Sequence, residues 1–178
     1  MTGSSEPLRV FGERVSPSLF KVLGVAPLMG RTLIPEEDIE GKDAVVVVSY
    51  KFWRGYLRGA ANIVGRSITI SDAPRTVVGV MPADFQFPSP DTDLWLPLAM
   101  TPQDRNRNLE SFYAVGRLRD GVSLQQAGSE MKTIASRLAA QFPNNKGKTI
   151  RVVPLQGTSS ATSTAHCSYC SALSRSCS

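Results

Sequence analysis

The sequence predicts a mixed α/β (α+β) domain, and three observations carry that prediction. Residues 112–153 read in order as strand, helix and strand, residues 67–81 read as a hairpin, and prolines at 82, 88, 90 and 97 mark an irregular excursion. With 178 residues, 42% hydrophobic and 20% charged, the chain has material for one domain or two small ones. No window approaches the roughly 18 consecutive apolar residues needed to cross a bilayer. The formal charge of +5 is spread along the chain without a block of like charges, which favours a solvated surface and no nucleic-acid partner.

Met1–Pro7 is polar with no apolar core of a signal peptide, so the start reads as cytosolic or incomplete. Leu8–Val15 alternates as a strand. Ser16-Pro17 supplies an N-cap and first-position pair for a helix carrying Leu19, Phe20, Val22 and Leu23, and Gly24 is placed to end it. Pro35-Glu36-Glu37-Asp38 puts acids in the first turn of a short helix, where the macrodipole favours them. Ala44–Val48 is a continuous β-branched run, expected to be a central strand buried on both faces.

Ser49 can cap the segment Tyr50–Arg58, in which Phe52, Trp53, Tyr56 and Leu57 share one helical face and Lys51, Arg54 and Arg58 another. Basic residues between aromatics could stack on nucleic acid, but an amphipathic helix with its aromatic face in the core is the plainer reading. Ser67–Ile70 and Thr76–Met81 pair as strands across a turn at Ser71–Pro74. The excursion over 82–100 follows, pinned by aromatic side chains and ending in a short edge strand. Phe112–Leu118 is the next strand. Ser123 with Gln126 forms a capping box, and Leu124, Ala127, Met131, Ile134, Ala135, Leu138 and Phe142 recur at helical spacing. Pro143 stops that helix before a strand at Ile150–Val153, which completes a βαβ unit with parallel strands if both lie in one sheet.

Candidate chemistry is sparse. Glu36-Glu37-Asp38, Asp91 with Asp93, and Asp84 invite a metal or acid–base reading, yet Asp91-Thr92-Asp93 lacks the further acidic positions and glycine of a calcium loop. No phosphate loop, dinucleotide fingerprint or G-x-S-x-G occurs, and the only histidine is His166. Cys167-Ser168-Tyr169-Cys170 is formally C-x-x-C beside His166, but a zinc site needs four ligands at fixed geometry, and Cys177 sits in a Ser-rich segment with no apolar residues to build a fold around it. No catalytic residue, metal or cofactor is therefore assigned, and the chain is expected not to be an enzyme. Phe85, Phe87 and Trp95 are the candidate partner contacts, with burial the plainer account of each.

Seven ordered motifs carry a family resemblance. Val15-Ser-Pro-Ser-Leu-Phe-Lys-Val-Leu-Gly24, Gly30-Arg-Thr-Leu-Ile-Pro-Glu-Glu-Asp38 and Val48-Ser-Tyr-Lys-Phe-Trp53 are followed by Asn62-Ile-Val-Gly-Arg66, Thr76-Val-Val-Gly-Val-Met-Pro82, Asp93-Leu-Trp-Leu-Pro97 and Gly121-Val-Ser-Leu124. In order and spacing they resemble the MacB-like periplasmic core domain over residues 8–156. The resemblance implies a non-catalytic extracytoplasmic domain of an ABC-type permease, set between membrane helices and working as a dimer. A separate nucleotide-binding subunit or domain would hydrolyse ATP in the cytoplasm. It also implies that residues 1–156 are a partial domain, since such domains begin upstream of the Val15-Ser-Pro motif, after a membrane helix. A free-standing soluble module that binds a ligand or protein is the alternative, and a hydrolase using Asp84 to Asp93 is a third class. Where relatives carry Asn-Gly in the hairpin turn this chain has Ser71-Asp72, from which a longer or different turn is expected.

The composition breaks near Gln156. All three cysteines, the only histidine and 11 Ser or Thr fall in residues 157–178, which hold no acid, Lys or Pro, whereas residues 1–156 carry 19 of the 20 basic groups and all 15 acids. Residues 157–178 are expected to be a disordered tail. Read in a shifted frame, taking the third base of one codon with the first two of the next, Cys167 and Cys170 become Leu, Ser168 and Ser171 become Leu or Phe, and Tyr169 becomes Leu, Ile or Val. The polar tail turns into an apolar run like the start of a membrane helix. Resequencing of the locus is expected to find a one-base shift near codon 157; an intact frame encoding this same tail would overturn the frameshift reading.

Overall fold

The computed structural model describes residues 9–104, 112–155 and 169–173, the last as backbone only. Residues divide between two units, Met1–Thr101 and Pro102–Ser178. The first is built on a mixed six-stranded sheet of β1 (Gly12–Val15), β2 (Met29–Gly30), β3 (Val45–Val48), β4 (Ser67–Ile70), β5 (Ala73–Val80) and β6 (Leu94–Pro97). The order is β1-β6-β3-β5-β2, with β4 also paired to β5. β1 runs parallel to β6 and β3 parallel to β5, while β3–β6, β2–β5 and β4–β5 are antiparallel.

The valine run sits at the centre of this sheet, as its apolarity predicts. Val46, Val47 and Val48 are all 0% exposed. Because side chains alternate along a strand, Val46 and Val48 join one cluster with Phe52, Trp53, Ile63, Ile70 and Leu94, and Val47 joins another with Phe20, Leu33, Val78, Met81 and Trp95. Two short helices add aromatic rings, α1 (Ser18–Leu23) Phe20 to the second cluster beside Trp95 of β6, and α2 (Tyr50–Gly55) Phe52 and Trp53 to the first. The register of β3 against β5 slips between Val46↔Val77 and Val47↔Gly79, so β5 carries one extra residue, a bulge. The bulge resets the alternation and places both Val77 and Val80 in the first cluster.

At the same bulge two glycines face each other, Gly30 against Gly79. A Cβ on Gly79 would lie 2.1 Å from the Arg31 carbonyl oxygen, and one on Gly30, whose φ is +72°, would lie 2.2 Å from that of Val78. Only backbone without side chains brings β2 this close to β5.

Several local signals hold and several shift. Gly24 ends α1 in the left-handed region, φ 71°. The cap at its start moves by one residue: Pro17 occupies the N-cap position, and Ser16 reaches the helix through its carbonyl, which accepts the Leu19 N–H at 3.0 Å, while its Oγ lies 3.1 Å from that of Ser18. Ser49 Oγ accepts the Phe52 N–H at 3.2 Å, as read. The helix it caps ends at Gly55, before Tyr56, which leaves the core face and is 54% exposed.

β6 is not the edge strand expected. It lies between β1 and β3 because Leu94 and Trp95 are apolar toward opposite faces and both are buried, which a two-sided interior position satisfies. Nor is the hairpin turn longer than usual. Ile70 pairs directly with Ala73, so Ser71 and Asp72 alone make the turn, at φ 49° and 63°. These are the signs of a type I′ turn, whose hand matches the strand twist and overrides the local preference of both residues.

The second unit holds β7 (Ala114–Arg117), α3 (Leu124–Gln141), β8 (Arg151–Pro154) and β9 (Tyr169–Leu173). α3 opens on the capping box read in sequence: Ser123 Oγ accepts the Gln126 N–H at 3.2 Å, and the Gln126 side chain accepts the Ser123 N–H at 2.8 Å. β7 and β8 share one sheet and run parallel, with β9 between them. Of the tail read as disordered, 169–173 form β9, and 157–168 and 174–178 lie outside the described residues. Among the described residues no helix is long and apolar enough to cross a membrane.

The Ser71-Asp72 turn holds two non-glycine residues at positive φ, which costs about 1 kcal/mol or more. The double substitution Ser71→Asn, Asp72→Gly is expected to raise unfolding stability by about 1 kcal/mol, read as a higher midpoint in thermal denaturation. An unchanged or lower midpoint would contradict the I′ assignment.

Candidate functional site

Between β5 and β6, residues 82–93 form the Pro-rich excursion. Phe85 N–H donates to Pro82 O and Thr92 N–H to Ser89 O, each at 3.1 Å, and the Phe87–Pro88 peptide is cis. The three aromatic residues singled out on this stretch separate in the fold. Trp95 is 0% exposed and its indole N–H donates to Phe87 O at 2.9 Å. Its ring packs edge-on to Phe20 with centroids 6.2 Å apart and against Phe85 at 5.1 Å. Trp95 is therefore a core anchor and presents no contact surface. Phe85 is half-buried on the same cluster, 5.9 Å from Phe20, and Phe87 is half-buried further along the excursion.

The acidic groups hold the backbone together. Glu37, only 8% exposed, takes two hydrogen bonds from the Arg31 guanidinium at 2.5 and 3.0 Å and a third from the Ile34 N–H at 3.1 Å. Burial alone would raise the Glu37 carboxyl, but the bonds from Arg31 and Ile34, with the Arg31 charge, outweigh it and hold the group below its ordinary value. The Arg31 guanidinium is raised by the same hydrogen bond. Asp38 accepts the Ala99 N–H at 2.7 Å, and Ala99 sits at φ 37° with its carbonyl bonded by Arg14 at 3.1 Å. Asp84 is exposed. Among the described residues no three of His, Cys, Asp and Glu converge as a metal site. His166 and Cys167 lie outside the described residues.

Asp93 belongs to a different constellation, one that reading along the sequence missed. A cleft of about 340 Å³ is lined by Arg9, Phe11, Lys51, Tyr56, Asp91 and Asp93. Its aromatic walls are open to solvent, Phe11 at 51% and Tyr56 at 54% exposed, and the Arg9 guanidinium lies 5.3 Å from the Phe11 ring centroid. Asp93 forms the floor. One carboxylate oxygen accepts the Phe11 N–H at 3.0 Å and the other pairs with the Lys51 ammonium at 3.2 Å. Lys51 also donates to Pro90 O at 3.1 Å and Asp91 O at 2.9 Å. In the sequence, Lys51 reads as one cation on the polar face of a helix. Its partners lie 39 to 42 residues away, and only the apolarity of Leu94 and Trp95, which sets β6 beside β3, could have hinted at the meeting.

A family model for the MacB-like periplasmic core domain matches residues 2–134. The chain belongs to that family. Among solved structures, the periplasmic region of MacB from Actinobacillus actinomycetemcomitans is similar to it at 18% identity and a TM-score of 0.48, covering 70% of this chain and 55% of that one. The chain thus spans just over half the length of that relative. No curated protein matches. Within the matched residues Arg31 and Glu37 pair, Asp38 caps Ala99, and Gly30 and Gly79 allow β2 to approach β5.

Because the folded Glu37 carboxyl titrates below its unfolded value of about 4.3, the pair stabilises the fold fully above that pH, and the contribution is lost as pH falls through the folded value. Glu37→Gln is expected to lower stability at pH 7 by about 1 kcal/mol, discounted for the half-exposed Arg31, and to flatten the decline between about pH 5 and pH 3. Urea titrations followed by tryptophan fluorescence read both effects, since Trp53 and Trp95 both lie in the first unit. Identical pH profiles for the two proteins would count against this role of the pair.

Proposed function

We propose that this chain is the extracytoplasmic part of an ABC-type permease and carries no chemistry of its own. Membership of the MacB-like periplasmic core domain family is the observation that supports this most. The site geometry agrees with it: the acidic side chains of the first unit that have partners cap strands, hold turns and pair with neighbouring cations. On this reading the domain belongs to a dimer anchored by flanking membrane helices. It passes on the work of ATP hydrolysis, done by a nucleotide-binding subunit or domain, to a substrate or partner outside the cytoplasm. Phe87 is then the contact on the excursion, with Phe85 and Trp95 supporting it from the core.

A second reading, a binding module, rests on the cleft with its two exposed aromatic rings. Both readings can be separated by expressing the gene product from its own locus with Asp84→Cys, after Cys167, Cys170 and Cys177 are changed to Ser, and reading its labelling against the same product with Asp84 intact. Residues 1–156 contain no other cysteine. The permease reading predicts a membrane-bound product labelled by an impermeant maleimide in intact cells, together with a co-purifying ATPase. Labelling only after lysis, in the soluble fraction, would overturn it.

A further inference from the structure

The backbone of the excursion is held to the body by side chains. Among the described residues, three hydrogen bonds join residues 82–92 to the rest of the first unit, and all three land on carbonyl oxygens: Trp95 Nε1 to Phe87 O, and Lys51 Nζ to Pro90 O and Asp91 O. The last two come from one ammonium, which also pairs with Asp93. On either side the chain is fixed firmly. Phe87 is tied by the buried Trp95 indole, and Asp93 N–H donates to Phe11 O at 2.8 Å at the start of β6. Residues 88–92 therefore span two fixed posts, with no strand pairing of their own.

We propose that residues 88–92 form a flap latched by Lys51, opening and closing over the floor of the cleft while the sheet stays intact. Removing one ammonium takes away two of the three attachments and the ion pair together. The Lys51 side chain is 49% exposed, so water and salt reach the latch, whereas the Asp93 carboxylate beneath it is 8% exposed. Opening bares that carboxylate and the side chain of Thr92, which is 5% exposed when the flap is shut. Local opening of this kind draws on few contacts and need not disturb β3 or β5. The inference concerns the chain itself and does not depend on the permease reading.

Thiol accessibility in the full chain tests it. With the three tail cysteines changed to Ser, Thr92→Cys is placed on the flap and, in a separate protein, Val47→Cys in the core as a report on global unfolding. Adding Lys51→Met, which keeps the stem and removes the charge, is expected to speed maleimide labelling of Thr92→Cys about ten-fold and to leave Val47→Cys unchanged. With Lys51 intact, raising NaCl from about 0.05 to about 0.5 M is expected to speed the same labelling roughly three-fold, a readout that stands even if the Met variant folds poorly. Unchanged labelling at Thr92→Cys under both treatments, or equal acceleration at Val47→Cys, would overturn the latch.

Discussion

Burial of β3 on both faces is the constraint on which the first unit depends. A strand with one wet face can alternate polar and apolar residues, but Val46, Val47 and Val48 offer nothing to water in either direction. Both faces of the sheet must therefore be covered, which accounts for one short helix on each side, each bringing large rings: Phe20 from α1, Phe52 and Trp53 from α2. It also requires strands on both edges of β3. β5 and β6 supply them, and the excursion is the path that carries the chain from one to the other. The cleft follows, because the end of that path must pass α2 and the start of β1 before β6 begins.

The same constraint explains why so few polar side chains are free for chemistry. In so small a unit the segments outside the sheet are fixed by charged side chains bonded to backbone. Arg31 and Glu37 hold the turn after β2, Asp38 and Arg14 hold the backbone at Ala99, and Asp93 with Lys51 holds the approach to β6. Such pairs are modest in energy when half-exposed. Their effect lies in direction, because each fixes a backbone group that no strand partner reaches.

What was legible in the sequence was local or two-sided apolar patterning. The valine run announced a central strand, Ser123 with Gln126 announced the start of α3, and Gly24 announced the end of α1. What failed depended on distant partners. The prolines around Leu94–Pro97 suggested an edge, but Pro97 pairs at the last register position of β6, beside Val15, where one missing N–H does little harm. The Ser71-Asp72 turn departs from residue preference because the hairpin register, with Ile70 opposite Ala73, leaves only two residues to close it. Of the candidate site, Trp95 was legible as an aromatic anchor whose plainer account is burial, because it is a large ring in an apolar stretch, whereas the Lys51–Asp93 meeting left no trace at any short spacing.

The facing glycines carry a last consequence, for how mutations combine. Each would clash with a backbone oxygen of the other's strand or its flank: Gly79 with Arg31 O, Gly30 with Val78 O. Neither clash involves the other glycine's missing side chain, so shrinking one position cannot make room at the other, and no second-site change of side chain can move a carbonyl that its own strand holds in place. Losses at the two positions have no intragenic suppressor of the usual size-for-size kind. A random library of this chain would show both as glycine alone, and neither as half of a covarying pair, although the two are neighbours in space.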